Sequence, residues 1–367
     1  MPSIKKIVIT GGPCAGKTTA MSWIQNFFGT QGYAVLFIAE TASELINSGI
    51  SPKSSRTNLD FQKALLSLQT AKEDTFTTAA LAQKQDKVLI VCDRGAMDNK
   101  AYMTKEEFEA VCHYLGKSEV MLRDSYDAVI HLVTAANGAL EYYTLDNNQA
   151  RSETPEEAIA LDDKLIACWT GHPHLKVIDN QTGFDDKMKR MLTEIASIIG
   201  EPEPYAIKRK FLINYPDTAL LDTLPNCSKV DIMQTYLLPE QPGMQVRIRQ
   251  RGANGHYIYY KTVKMPGPGH KRVETETRLT KDEYLALFMQ SDPSLRPIRK
   301  TRYCLSWHNL YYEIDIYPFW QDRAVMELAL AEVDQAYEVP EFITIIREVT
   351  GDPAYSNYTL ARELPAD

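Results

Sequence analysis

The chain has 367 residues, of which 44% are hydrophobic and 24% charged, so it is long enough for two packed cores and ordinary in composition. Its net charge of -8 excludes a nucleic-acid partner held mainly by bulk attraction. No run of residues approaches the roughly 18–20 apolar positions that span a bilayer.

The N-terminus enters a strand pattern directly and shows no secretory leader. The 6 cysteines (Cys14, Cys92, Cys112, Cys168, Cys227 and Cys304) stand singly without a CxxC pair. That spacing predicts neither a zinc site nor a disulfide framework, and a cytoplasmic setting is the default expectation.

In chain order, apolar runs at Ile4–Thr10, Tyr33–Ala39, Lys87–Cys92, Tyr126–Val133 and Leu175–Ile178 alternate with amphipathic stretches such as Thr18–Phe28 and Asn58–Lys84. A last helix is predicted at Phe184–Ile199. This is the signature of an α/β unit with a parallel sheet, expected over residues 1–200. The segment Gly200-Glu-Pro-Glu-Pro204 marks a boundary. Beyond it, Lys208–Tyr215, Gln245–Gly252, His256–Val263, Lys271–Leu279, Ile298–Trp307 and Leu310–Tyr317 alternate at period two, as antiparallel strands do. Turn signals separate several of them, and a second domain is expected over residues 204–362.

The first strand runs into GGPCAGKTT, the pattern G-x-x-x-x-G-K-[ST] with Gly11, Gly16, Lys17 and Thr18 at its fixed positions. Glycines let successive backbone N–H groups curl toward phosphates, and the following helix adds positive potential. The predicted nucleotide-binding residues are Gly11, Gly12, Pro13, Cys14, Ala15, Gly16, Lys17, Thr18 and Thr19. Lys17 reaches the β- and γ-phosphates and the Thr18 hydroxyl ligates Mg²⁺, so ATP or GTP with Mg²⁺ is the expected ligand. Cys14 is read as a filler residue before an oxidant sensor.

Other candidates lie at strand ends. Lys87–Cys92 leads into Asp93-Arg94-Gly95, and an acid there suits Mg²⁺ or general-base work. Arg94 is a candidate clamp for phosphate or acceptor. Glu40, after the second strand, either binds an acceptor hydroxyl or caps a helix. The polar stretch Tyr142–Glu157 reads as a lid carrying Arg151 toward phosphoryl charge. Asn180 is a candidate base contact, whereas His172 and His174 read as structural.

GGPCAGKTT, IAETA, CDRGAMD and VIDN together resemble the AAA-type ATPase domain shared by the NadR ribosylnicotinamide kinases and the translocation-defect (Ttd14) proteins. The resemblance spans about residues 1–200 and implies a fold like a nucleoside or nucleotide kinase. It does not decide whether phosphate reaches an acceptor.

In the second half, charges recur at alternate positions: Lys208 and Lys210; Arg247, Arg249 and Arg251; Lys300 and Arg302; Glu274 and Glu276; Glu313 and Asp315. Residues i and i+2 of a strand share a face. The bland account is a solvated outer face; the sharper one is a barrel lumen holding a polyanion. Interleaved aromatic and aliphatic residues favour the lumen.

With AIKRKFLI, the pattern resembles the CYTH or triphosphate-tunnel family over about residues 204–362. The resemblance carries over Lys210, Arg247, Arg249, Lys261, Glu274, Glu276, Arg302, Glu313, Asp315 and Glu327. The last five acids are thereby weaker metal candidates beside Thr18 and Asp93. Acids of the family pattern are missing at Ala206, Lys208 and Ala329. That moves the expectation from triphosphatase to a phosphate-binding module.

The two-domain order is similar to the Ttd14 family, which implies GTP and phosphoinositide binding. The resulting expectation is a P-loop phosphotransferase or NTPase with a second site for a phosphorylated small molecule or phosphoinositide headgroup. Sequence-specific nucleic acid is not expected; peripheral membrane contact is compatible with this reading. A non-catalytic nucleotide switch and a tunnel triphosphatase are the alternatives.

Overall fold

The structure, a computed structural model, describes residues 2–143, 154–200, 207–239, 241, 243–266, 272–330 and 335–364. The chain divides into two compact units, Met1–Tyr205 and Ala206–Asp367.

The first unit holds a 5-stranded parallel sheet of β1 (Ser3–Thr10), β2 (Tyr33–Ile38), β3 (Lys87–Asp93), β4 (Ala128–Leu132) and β5 (Leu175–Ile178), in the order β2-β3-β1-β4-β5. Ile7, Val8 and Ile9 of β1 and Val88–Val91 of β3 are all at 0% exposure. Strands buried on both faces need near-continuous apolar sequence, which explains the unbroken hydrophobic runs.

The α-helices of this unit among the described residues are α1 (Lys17–Thr30), α2 (Thr41–Asn47), α3 (Asn58–Leu81), α4 (Lys105–Leu115), α5 (Glu119–Arg123), α6 (Pro155–Trp169) and α7 (Phe184–Ile199). Ile24 and Phe28 of α1 pack with Met188, Met191 and Ile195 of α7 onto one side of the sheet, while α3 contacts β1, β2 and β3. Truncating a side chain as buried as Phe28 would cost about 3–5 kcal/mol.

The second unit is a 9-stranded antiparallel sheet in the order β10-β9-β8-β7-β11-β12-β13-β6-β14. Its strands are β6 (Ile207–Asn214), β7 (Cys227–Leu237), β8 (Gln245–Ala253), β9 (His256–Pro266), β10 (Arg272–Leu279), β11 (Ile298–Trp307), β12 (Leu310–Ile316), β13 (Arg323–Leu330) and β14 (Ile345–Glu348). Three short helices, α8 (Thr218–Thr223), α9 (Lys281–Phe288) and α10 (Asn357–Arg362), lie among them.

The six strands expected from alternation are present, and β7, β13 and β14 are additional. The sheet is not closed by backbone pairing among the described residues, because β10 and β14 are its edges. Side chains from eight strands nevertheless face one cavity, from Lys208 on β6 to Glu274 on β10. No described helix is long and apolar enough to cross a membrane.

Candidate functional sites in the two units

Between β1 and α1, the chain passes through Gly11–Gly16. Gly11 has φ 141°, and a Cβ there would lie 2.1 Å from the carbonyl oxygen of Leu132. Gly16 has φ 89° and packs under the ring of Phe184. Only glycine fits either position, so the loop's tight curl is built into the sequence.

Gly16 precedes α1 and makes no side-chain cap, and the first turn of the helix carries no acid. Among the described residues no side chain caps its first N–H groups, which leaves them available to an anion. Thr18 and Thr19 are exposed on that turn. The Lys17 ammonium donates to the carbonyls of Gly11 (2.9 Å) and Gly12 (3.1 Å), folded over the loop. Burial, and next the Arg94 charge, lower its pKa to about 8.

The loop is clasped from behind by residues that sequence reading did not single out. The Gly12 N–H donates to Asp162 Oδ1 on α6 at 2.6 Å, and the Thr134 N–H to Asp162 Oδ2 at 3.2 Å. His131 Nε2 lies 3.0 Å from Asp162 Oδ1. Burial opposes ionisation of Asp162, but His131 and the two backbone donors hold its pKa below the ordinary value. Lys187 of α7 donates to Val133 O (2.7 Å), Ala15 O (3.3 Å) and Asn180 Oδ1 (2.7 Å). A polar residue inside the apolar run AVIHL was the one sequence signal for this layer.

Asp93 stands at the end of β3. Its Oδ1 is buried without a hydrogen-bond partner among the described residues. Burial raises its pKa, while the nearby Lys17 charge works the other way. Next to it, Arg94 has a left-handed backbone (φ 65°) and reaches Glu40 Oε1 through Nε at 2.5 Å. Asp98 anchors this corner: it accepts the Gly95 N–H at 2.7 Å and the Trp169 indole N–H at 3.3 Å, and it also accepts the Thr10 hydroxyl.

Lys17, Glu40, Asp93 and Arg94 thus lie within electrostatic reach of one another. The Asn180 Nδ2 donates to the carbonyls of Thr134 (2.8 Å) and Asn137 (2.7 Å), and its Oδ1 accepts from Lys187, so both ends of its amide are engaged within the chain. Arg151 and most of the expected lid lie outside the described residues. His172 is fully buried against Tyr126 and the His174 backbone, in keeping with its structural reading.

The residues present suit Mg²⁺. Asp93 offers a hard oxygen atom with no hydrogen-bond partner among the described residues, and Thr18, an exposed residue, a hydroxyl. An ion that keeps several waters and borrows phosphate oxygens needs no larger protein ligand set.

In the second unit, a cavity of about 690 Å³ is lined by Lys208, Lys210, Arg247, Arg249, Lys264, Lys300 and Arg302, against the carboxylates of Glu274, Glu313, Glu327 and Asp352. Most of the charges at alternate positions therefore line one cavity, while Arg251, Glu276 and Asp315 are not among its lining residues.

One expectation is corrected. Lys261 pairs across the sheet with Ile248, which packs in the apolar cluster around Tyr284, whereas Lys264 pairs with Gln245 and lines the cavity. Positions 261 and 264 are an odd number apart, so they face opposite sides.

The five acids considered as metal ligands each meet cations. Glu274 lies 3.1 Å from Arg247 and 2.7 Å from Lys264, and Glu276 lies 2.9 Å from Arg249. Glu313 lies 2.5 Å from Arg302, and Glu327 lies 2.9 Å from Lys210. Asp315, fully buried, takes both Lys300 (2.5 Å) and Arg302 (2.6 Å). Among the described residues, no group of three or more His, Cys, Asp or Glu side chains is placed to hold a metal ion.

A parallel sheet with a glycine loop, a helix N-terminus, a lysine and a strand-end aspartate defines the first unit as a P-loop nucleotide-binding domain. Residues 6–187 match the family model described as AAA domain, and over that span the chain carries this domain.

The C-terminal region is similar to a structure described as the inorganic triphosphatase NE1496, with 25% identity over 44% of this chain and 98% of that one, at a TM-score of 0.32. A second structure, of the hypothetical protein NE1496, gives 26% identity over 44% of this chain and 100% of that one, also at 0.32. The PH1819 protein from Pyrococcus horikoshii OT3 matches at 20% identity over 35% of this chain and 81% of its own, with a TM-score of 0.27. No curated protein matches the chain.

Proposed function

We propose that this protein is a Mg²⁺-dependent P-loop phosphotransferase or NTPase using ATP or GTP, with a polyanion-binding pocket in its second unit. The observation that carries the reading is the buried Oδ1 of Asp93, which has no hydrogen-bond partner among the described residues and lies beside the loop lysine. A buried carboxylate oxygen without a donor is costly unless a ligand or ion completes it.

In this reading the loop amides and Lys17 bind the β- and γ-phosphates. Thr18 and Asp93 would hold Mg²⁺, which would supply neutralisation of phosphate charge. An acceptor hydroxyl or water would lie beside this site, and the bound cation would offset the burial that raises the pKa of Asp93. Glu40 and Arg94 orient that acceptor, Arg94 supplying a forked donor and Glu40 an acceptor oxygen. In the second unit, cations in excess of carboxylates along the cavity wall favour a phosphorylated ligand over a neutral one.

The test is γ-phosphate transfer or release by the purified chain, with Mg²⁺ and a panel of nucleosides, nucleotides and inositol phosphates. Lys17→Ala should weaken nucleotide binding by about 10- to 100-fold, the value of a lost charge-assisted contact. Asp93→Asn should lower turnover by about 100-fold or more and raise the Mg²⁺ concentration needed for half-maximal turnover. A wild-type chain that binds nucleotide yet neither transfers nor releases phosphate would leave a nucleotide switch as the better description.

A further inference from the structure

We propose that the pocket of the second unit binds its phosphorylated ligand with cations alone, without a divalent metal ion. This rests on reading the pocket as a polyanion site and states how that site works.

Three observations carry it. First, the carboxylates in the wall are already engaged: Glu327 by Lys210 at 2.9 Å, Glu313 by Arg302 at 2.5 Å, Glu274 by Arg247 at 3.1 Å and Lys264 at 2.7 Å, and Asp352 by the Ala354 N–H at 3.0 Å. A metal ion would have to break these pairs and then sit among the released cations.

Second, the strand register places Lys208 directly opposite Ala329 and Lys210 opposite Glu327. Residues two apart share a face, so this patch of wall presents two ammonium groups and one carboxylate. Burial disfavours the Glu327 carboxylate, yet Lys210, Lys208, Arg302 and Lys300 together hold its pKa well below the ordinary carboxylate range. A site where four cations act on one acid repels a divalent ion and attracts an anion.

Third, Lys208 is exposed and makes no ion pair among the described residues, although it lines the cavity. It is a ready first contact. Phosphate oxygens would then replace carboxylates on the guanidinium forks of Arg247 and Arg302, an exchange of partners in which no covalent bond changes.

The experiment uses the full chain carrying Lys17→Ala and Gly11→Ala, which together weaken the P-loop's hold on phosphate. Inorganic tripolyphosphate and the soluble headgroup analogue inositol hexakisphosphate are titrated by calorimetry, in EDTA and then in Mg²⁺ or Mn²⁺. At least one probe should bind in EDTA, and metal should not strengthen it. Which probe binds separates a linear polyphosphate from a headgroup as the source of the phosphates.

Lys208→Glu should weaken the metal-free affinity on the order of tenfold or more, with steep salt dependence. Lys208→Glu with Ala329→Glu sets two new carboxylates beside Glu327, and binding by that chain should become metal-dependent; circular dichroism checks its fold, and the EDTA titration decides the matter without it. Binding that appears only with metal present would overturn the inference and leave the polyanion reading standing. No binding of either probe under any condition would overturn that reading, and this inference with it.

Discussion

Arg94 Nε and Glu40 Oε1 meet at 2.5 Å and tie together the ends of β3 and β2 beside the phosphate loop. Burial works against the Glu40 carboxylate, but Arg94, Ser43 and Lys17 together hold its pKa below the ordinary value, so it is ionised at neutral pH. Glu40→Gln leaves the Arg94 guanidinium short of counter-charge. The expected cost is about 1–3 kcal/mol in urea denaturation, reduced from that of a fully buried pair by partial solvent access. In turnover assays acceptor KM should rise while nucleotide affinity stays constant.

Asp162 takes two backbone N–H groups and His131 onto one carboxylate. Asp162→Ala strands those donors in a buried site, at about 1–3 kcal/mol for each one unmet. The first unit should lose about 3 kcal/mol or more, read as an earlier denaturation midpoint. Asp162→Asn keeps an acceptor oxygen and should lose less. Equal losses for the two variants would show that charge, not hydrogen bonding, holds the clasp.

At Gly11 a methyl group would sit 2.1 Å from the Leu132 carbonyl oxygen, on a backbone with φ 141°. Gly11→Ala must therefore displace either the loop or the end of β4. Nucleotide affinity measured with a fluorescent analogue should fall by about 100-fold or more, since the loop amides lose their common focus. Wild-type affinity in a folded Gly11→Ala chain would mean that the phosphates bind elsewhere.

Burial lowers the Lys17 pKa from 10.5 to about 8 in the ligand-free protein. Phosphate is attracted by the protonated form. Below pH 8 that form is present and affinity should be flat in pH. Above it, each binding event must first take up a proton, so affinity should fall by about tenfold per pH unit until the bound-state pKa is reached. Lys17→Arg, always charged, should abolish the break in a plot of log affinity against pH. A flat wild-type profile through pH 8 would contradict the assignment.

Much of the first unit was legible because its strands are buried on both faces and its helices amphipathic. The bounds of β5 and α7 agree with those expected from periodicity. The misses in the second unit have physical causes. The β13 segment RAVMELAL is built from good helix formers and lacks clean alternation, and the sheet around it overrides that propensity. In β7, CSKVDIMQTYL keeps alternation over only part of its length, so the pattern is diluted.

The phosphate loop was determined by sequence alone, because its chemistry is local: eight consecutive residues, 11–18, where a strand passes into a helix set the curl, the lysine and the hydroxyl. Alternating charge on the later strands was equally visible, since a strand's period of two needs no partner to be read. Tertiary structure alone decided what those groups meet. It brought Asp162 from α6 to the Gly12 N–H, set Lys264 and not Lys261 in the cavity, and placed Lys208 opposite Ala329. Each of these depends on the register or packing of segments far apart in the chain. A shift of one residue in strand pairing would send each such side chain to the other face.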